Sequence, residues 1–282
     1  MSDSHGHFDA AAIQRGLKTS WLGKQVLFFP VIGSTNEEAR RMATSGAIHG
    51  TLLIADMQTA GRGRMARRWV APAGSSLLLS LILRPTLAPT HVQRVTMACG
   101  LAGADALEEV AGVAVGLKWP NDILIGERKV AGILTEMSTI GDQIDFLVVG
   151  IGINVNLDPA DLAPACDTLE QRETLVQDPS LRSVAEHATS LQMEAGRIIS
   201  RLELLWRFLE RLEFWYARIP DYDLLHRAWS RKMCLVGRCV QVDMPGETVI
   251  GRVAGVDQYG ALLLDTATGM QKRILAGDVS LR

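Results

Sequence analysis

The strongest constraint on the fold is an alternation between short apolar runs and longer segments with helical spacing. VLFF (26–29), TLLIADMQ (51–58), SLLLSLILRP (76–85), GLKWPNDILI (116–125), KVAGILTEMS (129–138) and IDFLVVGIGINVN (144–156) have the length and apolar content of strands. Between them, Asn36 to Ser45 and Val92 to Val110 read as helices, the second from Val92, Val95, Met97, Leu101, Ala104 and Leu107. Strands and helices interleaved in this way require an α/β or α+β domain with helices layered on a sheet. The longest apolar run, Ser76 to Leu83, is far short of the roughly 20 residues that span a bilayer, so no membrane association is expected.

The flanking regions differ in style. Phe8 to Gly23 predicts a short helix capped by Asp9 and punctuated by Gly16 and Gly23, and the polar start with His5 and His7 is given no function. From Ser190 to Ile219, Ile198, Leu202, Leu205, Leu209 and Leu212 recur at three- and four-residue steps, which predicts one amphipathic helix. Its neighbours Trp206, Phe208 and Phe214 are assigned to packing, and Asp158 to Leu181 is read as a surface excursion. After residue 232 the chain becomes five short strand-like runs separated by PGE, QYG, ATG and AGD, the pattern of a small β-barrel. The expected division is a helical segment over 1–23, a central domain over 24–231 and a barrel over 232–282.

Composition limits what the domains can bind. The 282 residues are 48% hydrophobic, enough for a sizeable core, and 29 Lys+Arg against 31 Asp+Glu leave a formal charge of −2. No global basic field draws the chain to DNA, so any anion site is local. Cys99, Cys166, Cys234 and Cys239 are scattered, with no C-x-x-C pair for zinc or redox chemistry. Reduced thiols and a start without a secretory pattern point to the cytoplasm.

Four constellations carry candidate chemistry. GRGRMARRW (61–69) sets Arg62, Arg64, Arg67 and Arg68 on a loop opened by Gly61 and Gly63. Those glycines are expected to supply positive φ and close backbone approach, and the arginine forks suit phosphate or carboxylate. A solvated basic loop has the same composition, but the absence of net basic charge favours a small anion. No third glycine opens an apolar helix, which excludes a Rossmann fingerprint. In KWPNDILIGERKVAGI (118–133), Asn121 and Asp122 could complete a turn. Alternatively, Asp122 could hold Mg²⁺ while Lys129, with room made by Gly132, carries charge into a pocket. VVGIGINVN (148–156) alternates Gly150 and Gly152 within a strand before Asn154 and Asn156, which marks close packing or close ligand approach. In GSTNEEA (33–39), Ser34 and Thr35 read as a helix start that could also offer hydroxyls and N–H groups to a ligand.

Taken in order, STN (34–36), QTAGRGR (58–64) with R-x-W (67–69), KWPND (118–122), RKVAGIL (128–134), GIGIN (150–154), QYGALLL (258–264) and the terminal SLR resemble the biotin protein ligases, or biotin–[acetyl-CoA-carboxylase] ligases. The resemblance runs from about Trp21 to Arg282. It implies an α/β (α+β) catalytic domain on a mixed sheet, like that of class II aminoacyl-tRNA synthetases, followed by an SH3-like β-barrel. The stretch before Ser34 is too short for the DNA-binding domain of the bifunctional members, so the monofunctional type is expected.

The implied reaction has two steps. Biotin and MgATP give biotinyl-5′-AMP and pyrophosphate, and a lysine of a biotin carboxyl carrier protein then attacks the mixed anhydride. By the same resemblance Arg62, Arg64 and Lys129 are catalytic, offsetting repulsion between carboxylate and phosphate. Ser34, Thr35, Asn36, Gln58, Gly61, Gly63 and Gly132 join them around biotin, with Ile133 or Leu134 walling its tail. Arg67, Trp69, Asn121, Asp122, Asn154 and Arg282 fall on the ATP side, Asp122 as magnesium ligand. No aromatic residue occurs between Leu157 and Arg182 to cover the adenine. A homodimer through sheet edges is left open.

Two other readings remain at this point. A lipoate or octanoate ligase shares the fold, but its usual R-R-x-x-G-G-G stretch followed by a histidine is absent, and no cysteine lies beside a motif for thioester transfer. A non-enzymatic anion or nucleotide sensor would explain the arginine loop but leave Asn121, Asp122 and Lys129 without a role.

Overall fold

A computed structural model of the chain describes residues 8–158 and 187–281. The order of elements is α1 (Ala10–Gly16), β1 (Val26–Ile32), α2 (Thr35–Thr44), β2 (Thr51–Gln58), β3 (Ser76–Leu83), α3 (Val92–Ala111), β4 (Gly116–Lys118), β5 (Asp122–Ile125), β6 (Arg128–Ile140), β7 (Gln143–Asn154), α4 (Leu191–Ala195), α5 (Arg201–Tyr216), α6 (Tyr222–Lys232), β8 (Cys239–Met244), β9 (Glu247–Val256), β10 (Leu262–Asp265), β11 (Gln271–Ile274) and β12 (Asp278–Leu281). A seven-stranded mixed sheet runs β1-β2-β3-β7-β6-β5-β4, with β1 and β2 parallel and the other neighbours antiparallel. A five-stranded antiparallel sheet runs β11-β10-β9-β8-β12. Among the described residues its edge strands β11 and β12 are not paired with each other, so hydrogen bonding does not close the expected barrel.

The central strands have two unlike faces. Leu77, Leu79, Leu81 and Leu83 of β3, with Leu147, Val149, Ile151 and Ile153 of β7, point into the large core shared with α3 and α5. Because side chains alternate along a strand, Ser76, Ser80, Gly150, Gly152 and Asn154 fall on the opposite face. The register sets Ser80 opposite Gly150, Gly150 opposite Leu134, and Gly152 opposite Gly132. Farther along, Ala39 and Ala43 of α2 cover Leu53, Ile82, Phe146 and Val148 on this second face. The glycine and serine rows therefore leave room beside α2 that bulky side chains would fill.

Several expected boundaries shift. GLKWPNDILI is not one strand but the β4–β5 hairpin, because Trp119–Pro120, joined by a cis peptide, removes a ladder donor at its middle. The predicted helix over 190–219 divides into α4 and α5, since Gly196 ends α4 in the left-handed region at φ 66° and Ser200 caps α5. The first helix spans only Ala10–Gly16, though Asp9 caps it as expected by accepting from the Ala12 N–H at 2.7 Å. Helix α6 was not read from the sequence; Asp221 caps it by accepting from the Leu224 N–H. Most of the predicted surface excursion lies outside the described residues.

The smaller sheet is held against the larger by specific bonds. Trp119 is buried, and its indole N–H donates to the Gly260 carbonyl at 2.8 Å. Arg94 donates to the Gln258 carbonyl, and its guanidinium lies 4.8 Å from the centre of the Tyr222 ring. Trp119→Phe strands a buried acceptor and is expected to cost about 1–3 kcal/mol in urea unfolding. A change below about 0.5 kcal/mol would place that carbonyl in contact with water.

Candidate active site

The arginine loop connects β2 to β3 and folds back over the glycine face. Trp69 N–H donates to the Gly61 carbonyl at 3.0 Å and Gly63 N–H to the Arg67 carbonyl at 2.7 Å, so the loop closes on itself. A Cβ at Gly61 would stand 2.3 Å from the Trp69 carbonyl oxygen, which requires glycine for close backbone approach. The expectation of positive φ at Gly61 and Gly63 is not met. Met65 (φ 54°) and Ala66 (φ 60°) hold that conformation instead, against their Cβ sterics.

Trp69 then lies flat on the sheet. Cβ atoms added at Gly152 and Gly132 would fall 2.5 Å and 3.1 Å from its ring. Its indole nitrogen is buried without a hydrogen-bond partner, and Lys129 Nζ is 5.6 Å from the ring centre. The ammonium also stands 2.6 Å from Asp122 Oδ1, a charge contact outside hydrogen-bond alignment. Asp122 is therefore engaged by Lys129, and among the described residues no three His, Cys, Asp or Glu side chains cluster as a metal site. Asn121 connects the β4–β5 turn to β6, accepting from the Ile133 N–H and donating through Nδ2 to the Ile133 carbonyl at 2.7 Å.

The start of α2 joins β6 through Asn36, which bonds Glu136, although Ser34, Thr35 and Asn36 do not line the cavity beside the arginine loop. Ser34 is the N-cap, its hydroxyl accepting from the Glu37 N–H at 3.5 Å. Thr35 N–H donates to Gln58 Oε1 at 2.7 Å. Ser80 Oγ lies 2.8 Å from Thr35 Oγ1 and 2.6 Å from Asn36 Oδ1. Ser80 has one proton, and Asn36 Oδ1 can only accept, so Ser80 donates to Asn36. Asn36 Nδ2 in turn donates to Glu136 Oε2 at 2.8 Å. Gly150 makes room for this amide, since a Cβ there would sit 2.1 Å from Asn36 Oδ1.

A cavity of about 440 Å³ opens between the arginine loop, the start of α3, β6 and the β11–β12 connection. Arg62, Gly63, Arg64, Asn121, Ile133 and Leu134 line it, as do Gln93, Thr96, Thr135 and Glu136, which the sequence did not single out. Arg64 donates to Asn121 Oδ1 at 3.1 Å and to the Gly277 carbonyl at 3.3 Å. Burial draws its pKa below the usual guanidinium value, opposed by Asp122 and Asp278, and its intrinsic basicity keeps it charged. Arg67 is paired with Asp278, whose hydrogen bond raises its pKa. Arg62 Nη1 is 3.7 Å from both Glu37 and Glu136, contacts too long to be hydrogen bonds. Asn154 donates to the Thr189 carbonyl and Thr189 N–H to the Lys129 carbonyl, tying β6 and β7 to the segment before α4. Arg282 lies outside the described residues.

The signal for the missed residues was present as parity. Ser80 is a polar interruption in an apolar run, and Glu136 shares the strand face of Gly132. Which face mattered became visible only with the register.

The sequence pattern of the Biotin/lipoate A/B protein ligase family matches residues 28–154, and that of the Biotin protein ligase C terminal domain matches residues 235–282. The chain is 34% identical to Bifunctional ligase/repressor BirA of Bacillus subtilis, over 98% of this chain and 80% of that protein. It is 34% identical to Biotin--[acetyl-CoA-carboxylase] ligase of Mycobacterium tuberculosis, over 88% and 85% of the two chains. The structure of the biotin protein ligase from Aquifex aeolicus in complex with biotin and ATP superposes with a TM-score of 0.71 at 30% identity, covering 92% of this chain and 99% of the other. Two matched family patterns and relatives similar over nearly the whole chain establish that it belongs to the biotin protein ligase family.

Proposed function

We propose that this chain activates biotin with ATP and transfers it to a lysine of a biotin carboxyl carrier protein such as that of acetyl-CoA carboxylase. The observation that carries this reading is the cavity between the arginine loop and β6, lined by Arg62 and Arg64. It lies in a chain similar over nearly all its length to enzymes named for this ligation.

The biotin carboxylate attacks the α-phosphorus of ATP, a P–O bond forms, and pyrophosphate leaves. Arg62, Arg64 and Lys129 offset the repulsion between these anions and stabilise charge on the phosphoryl oxygens. An amine then attacks the acyl carbon, giving an amide and releasing AMP. Ser34, Thr35, Asn36 and Gln58 offer the ureido ring donors and acceptors from one ordered chain. Gly61, Gly63 and Gly132 keep the backbone close, and Ile133 and Leu134 wall the apolar tail. Arg67, Trp69, Asn121, Asp122, Asn154 and Arg282 serve the nucleotide. In this reading that sheet is an SH3-like module.

A magnesium ion, with Asp122 as its protein ligand, would supply charge neutralisation on the phosphates. Asp122, already engaged with Lys129, fits a cation that arrives with the nucleotide rather than one resident in the protein. Among the described residues no helix is long and apolar enough to cross a membrane. We place the activity in the cytoplasm on the strength of the cysteine pattern.

The test is exchange of labelled pyrophosphate into ATP with biotin, run beside lipoate and octanoate. Exchange with biotin alone supports the proposal, and exchange only with the other acids moves the substrate. The buried thiol of Cys99 is pushed up to about 12 by desolvation, so it is expected to resist alkylation in native protein while exposed Cys239 reacts. Peptide mapping after brief iodoacetamide treatment checks this, and rapid modification of Cys99 would reopen thioester chemistry.

A further inference from the structure

We infer that Glu136 is a positioning residue for the acid-activation site, setting the orientation of the Asn36 amide and thereby the hydrogen-bond polarity that biotin meets. This rests on the reading of the Ser34–Asn36 segment as part of the biotin site. Asn36 is buried, and both ends of its amide are engaged: Oδ1 by Ser80 at 2.6 Å and Nδ2 by Glu136 at 2.8 Å. An amide in an apolar cleft can turn over at low steric cost, because its oxygen and nitrogen are nearly the same size. Here a donor fixes one end and a carboxylate, which can only accept, fixes the other.

The chain of contacts continues from Ser80 to Thr35 and from Thr35 to Gln58, joining β3, α2 and β2, and it meets the cavity at Glu136, which lines it. Gly150 leaves the amide no Cβ to clash with, and Glu136 sits on the same sheet face as Gly132 and Leu134, next after Leu134 in that row. Glu136 also faces Arg62 through its other oxygen at 3.7 Å, with Glu37 equally distant. That long, partly exposed contact is weak, so Arg62 can turn to an incoming anion while the shorter bond to Asn36 persists.

Glu136→Ala and Glu136→Gln separate the two contacts. The glutamine can still accept from Asn36 but carries no charge for Arg62. Glu136→Ala is expected to raise the KM for biotin about tenfold in pyrophosphate exchange, with the KM for ATP nearly unchanged and a modest fall in melting temperature from the stranded Asn36 donor. Glu136→Gln is expected to stay within about threefold of the parent. The inference is overturned if the alanine variant leaves the biotin KM unaltered. It is also overturned if the glutamine variant matches the alanine one, which would assign the effect to charge at Arg62. A joint loss of both KM values with melting temperature would make Glu136 merely structural. If the parent protein shows no exchange with biotin, the underlying substrate reading fails instead, whatever the variants do.

Discussion

Lys129→Ala is expected to lower biotin-dependent pyrophosphate exchange about a thousandfold, equivalent to ~4 kcal/mol of transition-state stabilisation. The ammonium is part-exposed and makes its charge contact with Asp122 at 2.6 Å, so its favourable partner in the resting protein is a single carboxylate. Losing that pair leaves Asp122 short of a cation, yet the shorter alanine lets water reach the Oδ1 that the ammonium covered, and the stability change should stay near about 1 kcal/mol. When carboxylate and triphosphate meet, the same ammonium faces several negative oxygens in a site with less water, where each interaction is stronger. The expected pattern is therefore a large fall in rate with a small shift in melting temperature. Equal losses in both would make Lys129 a structural member of the β5–β6 hairpin. Lys129→Arg should recover little, because a planar fork beside Trp69 and Gly132 cannot occupy the space of a point charge.

Gly152→Ala is expected to cost about 1–3 kcal/mol of stability and to reduce adenylation roughly a hundredfold. An added Cβ would lie 2.5 Å from the Trp69 ring, and the sheet backbone beneath has β3 and β6 bonded on either side. The indole must lift, and because Trp69 N–H is bonded to the Gly61 carbonyl, the whole arginine loop moves with it. The argument is steric and is checked by a double-mutant cycle with Trp69→Ala. Stability should be largely recovered in the double variant, giving a coupling energy of about 1 kcal/mol or more. Additive losses would mean that the glycine serves the strand itself rather than the loop above it.

These two expectations depend on information of different kinds. Lys129 was identifiable as a candidate from RKVAGIL beside KWPND, because a lysine near the polar pair Asn121-Asp122 suggests charge chemistry as readily as a turn. The arginine loop was legible as a candidate anion site because four arginines and two glycines fall between two apolar strands in a chain with no net basic charge. The Trp69 contact was not legible. Trp69 and Gly152 are far apart in sequence, and only the pairing of β3, β7 and β6 puts Gly152 and Gly132 side by side beneath the indole.

The strands and the long third helix could be read because apolar periodicity is a local property, set by which side chains must leave water. Failures came where a local signal had two outcomes. Trp119–Pro120 sat inside an apolar run that could extend or turn back, and the tertiary bond from Trp119 to Gly260 accompanies the turn. Gly196 interrupted a helical pattern that otherwise continued, and its left-handed conformation ended the helix. Positive φ was expected at glycines but fell on Met65 and Ala66, while Gly61 is required for space at its close crossing on Trp69.

The sequence by itself determined the layered α/β class, the five-strand C-terminal style, the family and the principal charged residues, because each depends on residue type and short spacing. Tertiary structure decided which strand face carries the glycine and serine row, that Asn36 is held between Ser80 and Glu136, and that Arg64 and Arg67 reach across to the smaller sheet. Those outcomes depend on register and on contacts between distant segments. A shift of one residue along β6 would turn Glu136 to the other face without altering any local pattern.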